Sequence, residues 1–269
     1  MNRAAYLSLV AGLVFASMVG CSRPAPEQPR LSPEDDAAWN RIVAALHQMS
    51  DEYSEALEIE DAETGRRRRE QLARVLDEAS ASAAHIAGPT ALEVRRRLDA
   101  IRGRVVSVDY EVGAELTALS RQIVQQTHLR RTPVRKPDLA NGQRVFTRAC
   151  AACHGPDGTG PTSAVATAMD PPPPDVLHAR RNWTPYETFN RITYGGIETA
   201  MPSFEHGLTA AERWDVVFHL FAERWPPCPK PLPPIRADEL ALAGDFELGN
   251  RFGYGAAACL RRDFLPPAP

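Results

Sequence analysis

Two cysteines and a histidine stand closest to chemistry in this chain, in the run Cys150-Ala151-Ala152-Cys153-His154. Thiols three positions apart share one helical turn. Each can add to a vinyl group of the same porphyrin, and the adjoining imidazole can then face its iron. A Cys-x-x-Cys pair also serves redox dithiols and half of a zinc site. Zinc needs a second ligand pair, and Cys228 and Cys259 are too far apart in sequence to form one. A dithiol of the thioredoxin kind needs a strand–helix–strand pattern, which is missing. The immediate His154, followed by Gly155, therefore predicts one covalently attached haem c, with Cys150 and Cys153 as anchors and His154 as proximal ligand.

A sixth ligand is expected downstream. Met201 stands in Thr199-Ala200-Met201-Pro202-Ser203-Phe204, a loop pattern. Thioether sulfur is soft, favours Fe(II) and raises the reduction potential relative to two histidines. Met169 competes but lies only a short step beyond His154, and His178 and His206 read as surface histidines. The iron ligands are thus expected to be His154 and Met201. A backbone carbonyl should accept the His154 Nδ1 proton and fix the ring. Pro161 is one candidate to shape that carbonyl, and the Pro171–Pro174 run, a stiff polyproline segment, is the other.

The elements that must hold these residues read as helices. Asn141-Gly142-Gln143-Arg144-Val145-Phe146 precedes the motif on one of them. Thr209 and Glu212 form a capping box opening another, with Trp214, Val217, Phe218 and Phe221. The two should cross tightly, with Phe218 expected against Gly142. Upstream, Ser32 and Pro33 start a helix with Glu34-Asp35-Asp36 in its first turn. Trp39, Ile42, Val43, Leu46, Met49, Tyr53 and Leu57 give it an apolar stripe. Leu72, Val75, Leu76, Ala79, Ala83 and Ile86 mark a second helix. A third is expected to open on a Thr90/Glu93 capping box after Gly88-Pro89, and Val112, Leu116, Leu119 and Ile123 stripe a fourth. The fold expected is all-α: a helical bundle over 32–130, a hinge over 131–137, a cytochrome domain over 138–226, and a Pro-rich stretch with a small helical tail over 227–269.

Residues 1–20 combine Arg3, an apolar stretch from Leu7 to Val19, and Ser17-Met18-Val19-Gly20-Cys21. This resembles a bacterial lipobox, so a signal peptide and a lipid on Cys21 are expected. The Pro-rich residues 21–31 make a tether. Ser22, where an aspartate would retain the protein at the inner membrane, favours the outer membrane, on the periplasmic side of the cell envelope. Such a compartment permits disulfides. Cys228 and Cys259 are expected either to pair or to remain two separate thiols, Cys259 then buried as a small apolar residue. The net charge of −3, with no basic motif, argues against nucleic acid.

Residues 138–225 look like a class I cytochrome c domain. CAACHGPDGTGP, DPPPPDV, FNRITYGGIETAMPSF and LTAAERWDVVFHLF resemble, more narrowly, the cytochrome domain fused to some bacterial high-affinity iron permeases. Looser likenesses cover Gln48 to Ala56 and Asp238 to Arg261. The permease's membrane helices, with their Arg-Glu-x-x-Glu motif, do not occur in these residues. The resemblance therefore implies a redox partner of a metal-uptake system, not a transporter. Glu52 and Glu55, or Asp109 and Glu111, could offer carboxylates to iron, but read more simply as solvated helix faces. The reading that follows is a one-electron carrier, not an enzyme. It needs a redox partner protein, whether an iron permease system, a dehydrogenase or a terminal oxidase. The alternative is a haem-based sensor or peroxidase-like enzyme with a displaceable sixth ligand.

Overall fold

A computed structural model describes residues 31–179, 183–222 and 234–262. Among them are thirteen helices and no strand. The stretch from Leu31 onward forms one compact unit.

Helix α1 (Pro33–Glu58) opens as its sequence requires: Ser32 Oγ accepts from Asp35 N–H at 3.0 Å, and three acidic residues face the positive end of the helix dipole. Helix α2 (Ala62–Ala84) is capped by Asp61, which accepts from Thr64 N–H at 2.8 Å. Helix α3 (Pro89–Val106) starts before the expected capping box. Gly88 takes the N-cap position at φ 112° and Pro89, whose ring already fixes a helical φ, takes N1. Thr90 therefore lies inside the first turn. Helix α4 (Val112–Thr127) closes the set. Helix α1 packs on α2 and α4, α2 on α3, and α3 on α4, around Ile42, Leu46, Met49, Leu72, Leu76, Leu98, Ile101 and Leu116. Tyr53 joins that core with its hydroxyl paired twice to Asp109. It donates to the carbonyl at 3.0 Å and accepts from the N–H at 2.9 Å, fixing the α3–α4 connection.

Helix α5 (Leu139–Ala149) and α6 (Ala151–His154) carry the haem motif, α7 (Ala164–Thr167) and α8 (Val176–Ala179) are single turns, and α9 (Pro185–Tyr194) precedes the methionine loop. Helix α10 (Ala210–Ala222) crosses α5, and opens on the Thr209/Glu212 box as expected, with Glu212 N–H donating to Thr209 Oγ1 at 3.2 Å. The crossing is closer than most. A Cβ on Gly142 would stand 2.1 Å from the Asp215 carbonyl oxygen and 2.7 Å from His219 Cβ. The partners of Gly142 are therefore Asp215 and His219, one turn apart on a single face. Phe218 is fully buried but is not among the atoms Gly142 meets most closely.

Asp215 has no exposed surface and binds four donors. The Arg135 guanidinium reaches it at 3.0 and 2.7 Å, Asp138 N–H at 2.8 Å and Asn141 Nδ2 at 2.8 Å. A buried carboxylate is tolerated only when so satisfied. The 131–137 segment, read as a hinge, has no helix, but Arg135 pins it to α10 through this carboxylate. Downstream, α11 (Ala237–Leu242), α12 (Asp245–Phe252) and α13 (Tyr254–Arg262) fold back. Helix α13 packs on α10, where buried Arg261 lies 4.6 Å over the Phe221 ring.

Candidate haem site

The motif lies where α5 ends. Cys150 N–H donates to the Phe146 carbonyl at 2.8 Å, and the next turn closes on Cys150, whose carbonyl accepts from Cys153 N–H at 3.1 Å and His154 N–H at 3.0 Å. That turn places both thiols on one short segment, half-buried and not disulfide-bonded. Burial, reinforced by the neighbouring Cys153, pushes the Cys150 thiol up to about 11. It is protonated at neutral pH.

His154 Nδ1 lies 3.2 Å from the Pro174 carbonyl oxygen. A carbonyl can only accept, so Nδ1 carries the proton and Nε2 keeps a free lone pair. Burial holds the ring below its ordinary pKa, against the opposing pull of the Pro174 bond. The imidazole is thus neutral, the form that ligates metal. Of the two carbonyl candidates, the accepting one comes from the Pro171–Pro174 run and not from Pro161. Three glycines explain the choice. Gly155, Gly158 and Gly160 all have positive φ, and a Cβ on Gly155 would strike the Gly160 carbonyl oxygen at 2.3 Å. This permits the reversal in which Gly160 N–H donates to the His154 carbonyl at 3.0 Å. Val176 N–H then donates to the Gly158 carbonyl at 3.0 Å, which brings the Pro174 end of the chain beside the ring.

Met201 lies on the loop after α9, half-buried and packed against the apolar core, as are Cys150, Val176, Ile197 and Phe204. A capping box of Thr184 and Glu187 starts α9. Gly195 ends it at φ 85°, and a Cβ there would meet the Met201 carbonyl at 2.7 Å. The loop is tied on the cytochrome side. Ser203 Oγ donates to the Thr193 carbonyl at 2.7 Å and Phe204 N–H to the Ile192 carbonyl at 3.2 Å. Met169 is half-buried at the end of α7, and His178 and His206 are exposed.

The other sequence candidates are placed as follows. Cys259 is buried and disulfide-bonded, while Cys228, the partner named from sequence, lies outside the described residues, as does Cys21. Glu52 pairs with Arg68, and Asp109 with Arg104 at 2.7 Å. No group of three metal-ligating side chains occurs among the described residues. No described helix is long and apolar enough to cross a membrane. Cavities of about 340 and 250 Å³ flank α1 where it meets α9, and neither is lined by Cys150, Cys153, His154 or Met201. Sequence reasoning missed Gln48, whose buried side chain reaches the methionine loop. It stands on the face of α1 opposite the apolar stripe, with polar His47 and Ser50 close by in sequence, where no local pattern marked it for burial.

Residues 137–220 match the family described as cytochrome C oxidase, cbb3-type, subunit III. The match covers less than a third of the 269 residues and supports a cytochrome c domain in that segment. No curated protein and no solved structure matches the chain. A cytochrome c domain implies covalently bound haem c, and the donor set fits it. Two free thiols share one turn, a neutral imidazole has its Nε2 unprotonated, and a thioether follows on a braced loop.

Proposed function

We propose that this is a monohaem c-type cytochrome that carries single electrons on the periplasmic side of the cell envelope, attached to a membrane by a lipid on Cys21. The observation that carries the reading is the pairing of free Cys150 and Cys153 with a His154 ring whose Nδ1–H is bound to the Pro174 carbonyl. Cys150 and Cys153 would hold the porphyrin by thioether bonds, and His154 and Met201 would ligate the iron. When bound, the haem supplies a one-electron change at its iron.

The chain's own residues set the conditions for that change. The Pro174 carbonyl orients the imidazole and increases its basicity. The core around Phe146, Phe218 and Phe221 excludes water, which helps set the potential. Met201 favours the ferrous state relative to a second histidine. No side chain need act as acid, base or nucleophile. The resemblance of the motifs to permease-fused cytochromes favours an iron permease system as redox partner. A dehydrogenase or a terminal oxidase is the other class of partner to test by pull-down.

A redox titration of the matured protein is expected to follow a single one-electron wave with low-spin spectra in both states. A high-spin ferric spectrum with peroxide turnover would overturn the carrier reading in favour of a haem enzyme.

A further inference from the structure

The helical bundle touches the cytochrome region along one stripe of α1, and that stripe meets the loop that carries Met201. Gln48 is the centre of it. Its side chain is 4% exposed and both of its hydrogen-bonding groups are used on the loop. The amide Nε2 donates to the Gly195 carbonyl at 3.2 Å, and the Oε1 accepts from Ile197 N–H at 3.1 Å. These two backbone groups flank Gly196. Gly196 N–H in turn donates to the Met201 carbonyl at 3.4 Å, and Met201 N–H donates to Thr199 Oγ1 at 3.2 Å. A buried amide thus fixes the start of a loop whose far end is the methionine.

The same stripe grips the other shoulder. Arg41 binds Glu205, four residues past Met201, through one nitrogen to both carboxylate oxygens at 2.9 and 2.8 Å. The Tyr194 hydroxyl donates to the Ala37 carbonyl at 3.3 Å, and the Tyr186 hydroxyl to Asn40 Oδ1 at 2.7 Å. Arg191 reaches Asp51 at 3.2 Å. Positions 37, 40, 41, 48 and 51 fall on one face of a 3.6-residue helix. Arg41 is about half exposed and its pair with Glu205 is screened, whereas Gln48 is buried. Breaking the Gln48 bonds takes their partner from the buried Gly195 carbonyl and the half-buried Ile197 N–H, so this contact dominates.

We infer that α1 is a clamp on the ligand loop, with Gln48 a positioning residue that holds Met201 toward the iron. This goes beyond electron carriage, because it gives the bundle a role in restraining the sixth ligand. The inference rests on Met201 being that ligand, and the test separates the two.

The test uses full-length, haem-loaded protein in the ferric state. It reads the red absorption band of methionine ligation and the affinity for imidazole, which competes for the methionine position. Wild type should show the band and bind imidazole weakly. Gln48→Met keeps the length and apolar packing but removes both bonds. It should weaken the band and raise imidazole affinity by about tenfold. Gln48→Glu keeps an acceptor for Ile197 N–H but sets an unpaired carboxylate against the Gly195 carbonyl, so it should shift both readouts at least as far as Gln48→Met. Gln48→Leu serves if Gln48→Met does not fold. Leu98→Ala, in the core on α3, should lower the unfolding temperature without moving either readout. A folded Gln48 variant with wild-type band and imidazole affinity would overturn the clamp, as would an equal shift in Leu98→Ala. A wild type without the band would overturn the Met201 assignment itself and the clamp with it.

Discussion

Gly142→Ala is expected to cost the cytochrome region about 3 kcal/mol or more, and with it most of its haem. Added methylenes in a packed core usually cost about 1–3 kcal/mol, because neighbouring side chains can turn aside. Here the new Cβ would stand 2.1 Å from Asp215 O and 2.6 Å from Asp215 C, and backbone atoms cannot turn aside. The α5–α10 crossing must open. Opening it also strains the donors that α5 and the preceding segment send to the buried Asp215 carboxylate. Cys150 stands at the end of α5, so its position relative to His154 would shift, and thioether attachment would suffer. Denaturant unfolding and the haem-to-protein ratio would measure both effects. Gly103→Ala is the control. It is also a helical glycine, but a Cβ there meets nothing within 4 Å. It should be neutral or stabilise by about 0.5–1 kcal/mol. An unchanged unfolding midpoint in Gly142→Ala would mean that the two helices do not cross at this glycine.

Met201→Ala should abolish the ferric red band and lower the reduction potential while leaving haem attachment intact. The separation is structural. The two thiols and His154 belong to the α5–α6 turn, and Met201 to a loop braced from α9 and α1. Removing the thioether withdraws the soft ligand that favours Fe(II), so the ferric state gains relative stability. Met169→Ala, at the end of α7, should leave the band unchanged. Persistence of the band in Met201→Ala, or its loss in Met169→Ala, would reassign the sixth ligand.

The haem motif was legible because its chemistry is local: two thiols and an imidazole need only the turn from Cys150 to His154. Helix starts were legible where the cap is a side chain, as at Ser32 and Thr209. They were misread at Thr90, where Gly88 and Pro89 set the start through backbone conformation instead. Contacts between elements were harder. The sequence marks Gly142 as a place of close approach, but the rotation of α10 decides whether position 218 or positions 215 and 219 face it. The carbonyl bound to His154 was likewise settled by the glycine-permitted reversal from Gly155 to Gly160, which no local pattern of prolines determines. Asp215, a polar residue among Trp214, Val216 and Val217, was an unread signal. Gln48, close to His47 and Ser50 in sequence and on the face of α1 opposite its apolar stripe, carried none. Each is buried because partners distant in sequence satisfy it.

Covalent haem attachment is decided by whether the pigment stays with the polypeptide. Full-length protein matured in a host that attaches haem c should keep its colour in the precipitate through acid–acetone extraction, and Cys150→Ala with Cys153→Ala should release it. A colourless matured protein, or haem recovered in the acetone phase from the wild type, would contradict thioether bonds at Cys150 and Cys153.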